Sequence, residues 1–98
     1  MKFGLTAEQF SYIHRIVVEP LSACGAKVWC YGSRARGDHK PFSDLDLMIE
    51  CENDLSTEIA SIGETLSKSN FPYRVDLVQL KDFSPSYLPT FNRDKKRV

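Results

Sequence analysis

A Gly-Ser turn between two strand-like runs is the feature that most constrains this chain. The turn, Gly32-Ser33, follows the run Ala-Lys-Val-Trp-Cys-Tyr, which is rich in β-branched and aromatic residues and predicts a strand. A second run, residues 44–51, opens with Asp-Leu-Asp-Leu. Because successive side chains of a strand point to opposite faces, Asp44 and Asp46 are predicted to share one face, ~6.6 Å apart.

Helical spacing marks two segments that flank these strands. Thr6 and Gln9 form a capping box ahead of a run with apolar residues at helical spacing, and Pro20 is expected to end or kink that helix. A second helix is expected to follow the second strand, capped by Asn53 or Asp54.

The C-terminal third predicts one more strand and one more helix. Tyr73 to Leu80 alternates like a strand, and Ser84 followed by Pro85 predicts a short final helix that runs to about Arg93. The basic ending, residues 94–98, is expected to be a solvated end of that helix.

The order of these elements predicts an α/β (α+β) fold. The 98 residues form a single expected domain, residues 1–98, with a small mixed sheet packed against helices. The helix between the second and third strands allows them to pair in parallel, although the sequence leaves the direction open.

Composition excludes several classes of function. The 13 basic and 13 acidic residues balance, so no direct nucleic-acid binding is expected. No apolar run approaches the ~18 residues of a membrane span. The three cysteines include no Cys-x-x-Cys pair, which is typical of a reduced chain, so we expect a cytoplasmic protein.

A third aspartate, Asp76, alternates with apolar residues in the third predicted strand. If that strand lies beside the Asp44 strand, ~4.8 Å away, Asp76 shares the face of Asp44 and Asp46. Carboxylates brought together repel unless a cation neutralises them, and Mg²⁺ is usually held by one or two carboxylates plus phosphates. The alternative is that Asp76 only forms a salt bridge with Arg74 or a lysine.

The order of these motifs resembles a known superfamily. Gly32-Ser33, ten further residues, Asp44-Leu45-Asp46 and a later strand aspartate, Asp76, resemble the DNA polymerase β-like nucleotidyltransferases. The short chain and the text Tyr-Gly-Ser-Arg-Ala-Arg-Gly…Ser-Asp-Leu-Asp-Leu resemble the minimal nucleotidyltransferases, which usually pair with a helical HEPN-domain partner in toxin–antitoxin systems. The resemblance implies the polymerase β-like fold over nearly the whole chain.

The resemblance also implies roles for the matching residues. Gly32 and Ser33 would bind the β- and γ-phosphates of ATP. Asp44 and Asp46 would be catalytic Mg²⁺ ligands, and Asp76 would be the third catalytic and metal-binding carboxylate and the base.

The two arginines that follow the turn are also expected to bind the nucleotide. Arg34 and Arg36 fall in the phosphate loop of the resembling family, and a guanidinium suits developing phosphate charge. The alternative is that both are ordinary surface charges. Trp29 and Tyr31 could stack an adenine, although strand aromatics are more often part of the core.

The implied activity is transfer of AMP from ATP to a hydroxyl, expected to be a tyrosine, of a HEPN-type partner, with the chain acting as the antitoxin. Two alternatives remain. The chain could be a non-catalytic module that neutralises or assembles with a helical partner, or it could modify a small molecule such as an aminoglycoside. We expect no second domain to supply an acceptor pocket, which disfavours the last.

Overall fold

A four-stranded mixed sheet forms the centre of the protein. The computed structural model describes residues 2–98. The strands are Lys27–Tyr31 (β1), Leu45–Glu50 (β2), Val75–Gln79 (β3) and Lys96–Arg97 (β4). Their order is β3-β2-β1-β4, with β2 and β3 parallel and β1 antiparallel to both β2 and β4. The sheet and its helices confirm the predicted α/β fold.

The helices are short, and most are irregular at their ends. They are α1 (Ala7–Ile13), a π-helical segment (His14–Val18), α2 (Glu19–Ala23), α3 (Ser33–Arg36), α4 (Ser56–Ser67) and α5 (Leu88–Asp94). Three 3₁₀ turns cover Lys2–Gly4, Leu80–Asp82 and Pro85–Tyr87. Among residues 2–98, no helix has the length and apolar character needed to cross a membrane.

One face of the sheet carries the main core. Alternate residues of β2, Leu45, Leu47 and Ile49, are buried together with Val17 and Ile62 from the helices. The opposite face carries the alternate set, where aspartates replace some of the apolar side chains. There α5 covers part of the sheet, with its Phe91 only 2% exposed and packed edge-on against the β1 tyrosine. The aspartates therefore lie on the face of the sheet opposite the main core.

The N-terminal helix continues past Pro20. The predicted capping box of Thr6 and Gln9 is present, and the helix does not end at Pro20 but runs on to Ala23. The π-helical segment precedes Pro20, and the Glu19 N–H donates to the His14 carbonyl five residues back. We attribute the continuity to this wider turn, which accommodates a proline that has no N–H and would crowd an ordinary i−4 carbonyl.

The start of α4 also differs from the prediction. The residue at its N-cap is Leu55, not Asn53 or Asp54. The Leu55 N–H donates to Gln79 Oε1 at 2.9 Å, so a side chain from β3 takes the place of a local cap.

The C-terminal residues are not a solvated helix end. They form β4, in which Arg97 pairs with Trp29 and Lys96 with Cys30, and the Val98 N–H donates to the Val28 carbonyl at 3.1 Å. The basic side chains stay exposed while the backbone fills the edge of β1. Charge composition predicted the exposure correctly and missed the pairing, because pairing depends on a distant strand.

Candidate active site

One transverse row of the sheet brings the predicted carboxylates together. In the strand register Tyr31 lies opposite Asp46, and Asp46 lies beside Asp76. Residues at matched positions on neighbouring strands point to the same face, ~4.8 Å apart. Asp44 precedes the first residue of β2 and is half-buried, close enough for its charge to act on Asp46.

Burial and neighbouring negative charge raise the pKa of the Asp46 carboxyl from 3.8 to about 6. Burial is the largest cause, followed by repulsion from Asp76 and Asp44 and a hydrogen bond to Asp76, while Arg74 acts in the opposite direction. Burial, and after it the charges of Asp46 and Asp76, raise the pKa of the Tyr31 hydroxyl to about 12. The row therefore concentrates negative charge, and a bound cation would reduce the repulsion within it.

The alternative for Asp76 is also present in the structure. Arg74 Nε lies 3.2 Å from Asp76 Oδ1, and the Arg74 side chain is 73% exposed. This exposed arginine supplies part of the missing positive charge, and such a pair contributes little to stability.

Gly32 brings the turn directly against the carboxylates. Its φ of 76° and ψ of −157° fall in a region that is almost confined to glycine. A Cβ on Gly32 would lie 2.7 Å from Asp46 Oδ2, which is too close for any side chain. Gly32 is the N-cap residue of α3, and no side-chain hydrogen bond caps this helix. Ser33 is instead the first helical residue, half-buried next to this turn.

Arg36 lies at the edge of this site. It lines a cavity that includes Gly32, and its guanidinium bridges Asp38 at 3.1 Å and Asp94 at 3.3 Å. These bonds hold the side chain between α3 and α5. Because the side chain is 38% exposed, its guanidinium remains open to solvent on one side.

Arg34 does not join the carboxylates. It is 2% exposed, and its guanidinium stacks 4.1 Å from the centre of the Tyr73 ring. Tyr73 packs against the core on the face opposite Asp46 and Asp76. Nε donates to the Ser43 carbonyl at 3.0 Å and Nη1 to the Phe3 carbonyl at 2.9 Å. The geometry departs from the predicted nucleotide contact, because the arginine turns inward to satisfy backbone carbonyls.

An aromatic cavity adjoins the turn, and most of its lining residues were not predicted from the sequence. Its volume is about 200 Å³, and its lining includes Tyr31, Gly32, Phe83, Tyr87 and Phe91. The last three aromatics recur every four residues, a spacing that puts side chains on one helical face and could have signalled a shared surface.

Trp29, the other candidate for stacking a base, lies elsewhere on the sheet. Its Nε1 donates to Glu50 Oε1 at 2.9 Å, and the Lys95 ammonium lies 4.6 Å from the ring centre. Its ring is therefore already covered by a cation.

The carboxylates fit a Mg²⁺ site only when other groups supply further oxygen ligands. Within residues 2–98, no three His, Cys, Asp or Glu side chains form a group that could hold a metal ion by themselves. Mg²⁺ commonly takes one or two carboxylates and completes its coordination with phosphate oxygens and water. The crowded pair Asp44 and Asp46 meets that requirement only if a phosphate-bearing ligand supplies the other oxygens.

Comparison with known proteins agrees with this combination of fold and site. The family model described as "Nucleotidyltransferase domain" matches residues 11–98. The chain therefore belongs to the nucleotidyltransferase domain family.

Individual relatives are more distant or partial. The probable protein adenylyltransferase MntA of Haemophilus influenzae is 44% identical over 52 residues, which cover 52% of this chain and 46% of that protein. The chain thus spans less than half the length of this curated relative.

Two crystal structures share the fold. A toxin–antitoxin with AMP-PNP has a TM-score of 0.66 at 19% identity, covering 95% of this chain and 72% of that chain. A mutant toxin–antitoxin MntA–HpeT has a TM-score of 0.64 at 19% identity, covering 96% and 72%.

The contact at position 32 predicts the effect of one methyl group. Gly32→Ala should lower the free energy of unfolding by roughly 1–3 kcal/mol, because the backbone conformation is strained for alanine and Cβ meets the Asp46 carboxylate. Urea unfolding measures this. Gly63→Ala is the matched control, because Gly63 lies within α4 with open space around it, and this change should be neutral or stabilising. Equal stability of Gly32→Ala and the wild type would contradict the geometry.

The raised pKa of Asp46 predicts a pH dependence of stability. Between pH 4 and pH 6 the folded state binds more protons than the unfolded state, so stability falls as pH rises through this window. In metal-free buffer at pH 7, Asp46→Asn should raise the free energy of unfolding by about 1 kcal/mol, after discounting for solvent screening at this half-exposed carboxyl. The gain should vanish near pH 4.

Urea unfolding at pH 4, 5, 6 and 7 with a chelator measures this effect. The exposed carboxylate of Asp82 offers a matched control, since Asp82→Asn removes the same charge away from the row. A loss of stability in Asp46→Asn at pH 7 would show that the carboxylate makes a structural bond that outweighs the repulsion.

Proposed function

We propose that the protein is a Mg²⁺-dependent nucleotidyltransferase that transfers AMP from ATP to a hydroxyl of a partner protein. The observation that carries the proposal is the row of carboxylates directly beside the Gly32 turn. A turn with free backbone amides suits phosphate, and crowded carboxylates suit a divalent cation, so the pairing matches a metal–nucleotide complex.

The proposed reaction is an in-line displacement at the α-phosphorus. The acceptor oxygen forms a bond to that phosphorus, the bond to the bridging oxygen of the β-phosphate breaks, and pyrophosphate leaves. The acceptor proton passes to a carboxylate of the row, which we assign to Asp76. When bound at Asp44 and Asp46, Mg²⁺ would neutralise phosphate charge and orient the attacking and leaving oxygens.

The turn and its neighbour are assigned to the triphosphate. Gly32 and Ser33 contribute backbone N–H groups and a hydroxyl to the β- and γ-phosphates. Arg36 has one side open to solvent and lines the aromatic cavity next to Gly32, so it contributes positive charge beside the triphosphate. We leave Arg34 out of this set, because it is buried on the other face of the sheet.

We assign the aromatic cavity to the nucleobase. The cavity shares Gly32 with the phosphate turn, its volume of about 200 Å³ is enough for a purine, and its walls are aromatic. Tyr87 is 62% exposed, which leaves its ring free to stack on a base.

The acceptor is proposed to be a tyrosine of a helical HEPN-type partner, with this chain acting as antitoxin. The names of the relatives support a protein acceptor and a toxin–antitoxin setting, since one is called a protein adenylyltransferase and others are toxin–antitoxin structures. The tyrosine and the HEPN type of the partner rest on the sequence resemblance alone. Phe42, 82% exposed and two residues before Asp44, supplies an apolar contact beside the site for such a partner. The cytoplasmic location remains a prediction.

A second candidate function is a binding module without catalysis. The ion pair between Arg74 and Asp76 and the lack of a self-sufficient metal group within residues 2–98 favour it. This module would neutralise or assemble with its helical partner by occupying it, and replacing the carboxylates would not affect that association.

Labelling with ATP carrying ³²P at the α-phosphate tests the leading proposal. The wild type with Mg²⁺ should label a protein band in a native lysate. The double variant Asp44→Asn, Asp46→Asn should reduce that label by at least about 100-fold, a loss of roughly 2.7 kcal/mol of transition-state stabilisation. Asp82→Asn, which removes a carboxylate outside the row, should label normally.

The outcome separates the two candidates. Label placed at the γ-position should not appear on the acceptor, because pyrophosphate leaves. If the partner is bound by the wild type and by the double variant alike and neither labels it, the binding module is the function.

The aromatic cavity generates a separate prediction. Tyr87→Ala should weaken binding of α,β-methylene ATP about fivefold or more, since base–aromatic stacking is worth ~1–3 kcal/mol. Isothermal titration with Mg²⁺ measures this, and the thermal midpoint should not change, because Tyr87 is exposed. Phe42→Ala removes another exposed aromatic ring, which lies outside the cavity, and should leave binding unchanged. Equal affinities of Tyr87→Ala and the wild type would exclude this cavity as the base site.

A further inference from the structure

A second cavity lies apart from the carboxylate row. Its volume is about 360 Å³, and it lies between the N-terminal 3₁₀ turn, α3 and β4. We call it the basic pocket. Its lining contains no acidic residue, and its chemically active members are Lys2, Arg34, His39, Lys96 and Arg97.

Arg34, which lines this pocket, has a buried donor without a hydrogen-bond partner among residues 2–98. Its Nε and Nη1 are bonded to the Ser43 and Phe3 carbonyls, as described above, but Nη2 has no hydrogen-bond partner among residues 2–98. A guanidinium stays charged at any ordinary pH, so this N–H cannot be relieved by losing a proton. A buried donor of this kind retains its desolvation penalty when it is left unpaired.

A second buried nitrogen lines the same pocket. His39 Nδ1 also has no hydrogen-bond partner in the described part of the chain. Its ring lies against Gly4, where a Cβ would overlap the His39 ring and approach Arg34 Nη1. Gly4 therefore lets the imidazole and the guanidinium approach each other across one small space.

Three further cationic side chains line the same cavity, and the carboxylate nearest in sequence is already engaged. Lys96 and Arg97 belong to β4, and Lys2 belongs to the N-terminal turn. The Arg97 guanidinium lies over the Trp29 ring, 5.5 Å from its centre. Asp38, next to His39 in sequence, pairs with Arg36 at 3.1 Å, outside the pocket. The pocket is thus a local excess of positive charge in a chain whose formal net charge is zero.

We propose that the basic pocket binds an oxyanion of the phosphate class, separately from the nucleotide site. Such an anion accepts hydrogen bonds in several directions at once and carries up to two charges, which matches two unpaired buried nitrogens and a cationic mouth. None of its lining residues belongs to the carboxylate row or to the aromatic cavity. The inference does not depend on the proposed nucleotidyl transfer.

An NMR titration of the full chain with inorganic phosphate tests this, in chelator-treated buffer without Mg²⁺. Saturable shifts of the Gly4 and His39 amides and of the Arg34 Nε–H signal are expected, with a Kd of about 1 mM or tighter. Pyrophosphate and AMP form two further arms. Tighter binding of AMP than of phosphate would identify a phosphomonoester as the source of the anion, and the reverse would identify free phosphate.

Variants assign the binding to the pocket. Lys96→Gln and His39→Gln, both at partly or fully exposed positions, should each weaken phosphate binding about fivefold. Lys40→Gln is the matched control, because it removes one exposed charge from the same loop without lining the pocket, and binding should not change.

Three results would overturn the proposal. One is the absence of saturable shifts, the second is equal phosphate binding by Lys96→Gln, His39→Gln and wild type, and the third is a set of shifts confined to Gly32 and Ser33. The last would assign phosphate to the turn of the nucleotide site. Because none of the tested variants replaces the buried Arg34, the test does not depend on a variant that could fail to fold.

Discussion

The close approach of the Asp46 carboxylate to Gly32 is the contact on which the rest of the site depends. It joins the end of β1 to the middle of the row on β2, and it is possible only because residue 32 has no side chain and adopts a glycine backbone conformation. The turn amides and the carboxylates therefore occupy one small region. Backbone amides, which suit phosphate, and carboxylates, which suit a cation, are combined there, although neither feature alone is specific.

Charge in this chain is balanced in total and separated in space. The negative row occupies one face of the sheet, whereas Arg34 is buried on the other side beneath Tyr73. Between these regions, Arg36 bridges Asp38 and Asp94 and so connects α3 with α5. A zero net charge consequently hides two local fields of opposite sign, each suited to a different small ion.

Alternation of polar and apolar residues was enough to predict where Asp46 and Asp76 point, because strand geometry is local and repeats every two residues. The parallel pairing that sets them side by side was only permitted by the sequence, since direction depends on the α4 crossover. The inward turn of Arg34 could not be predicted, because its partners at Phe3 and Ser43 belong to distant segments. For the same reason the basic C-terminal residues looked like a solvated end, although their backbone pairs with β1.

The α4 crossover has a consequence for how this site comes into existence. Asp46 and Asp76 lie on strands joined by a connection long enough for a parallel crossover. Their carboxylates meet only when these two segments, 30 residues apart in the chain, pair in parallel. Pairing of distant segments is slow, because the loop must close before the contacts form. The repulsion between the carboxylates thus opposes the same step that completes the sheet. A cation that neutralises the row would favour pairing of β2 with β3 as well as catalysis. Folding of the sheet and binding of the cation would then be thermodynamically coupled.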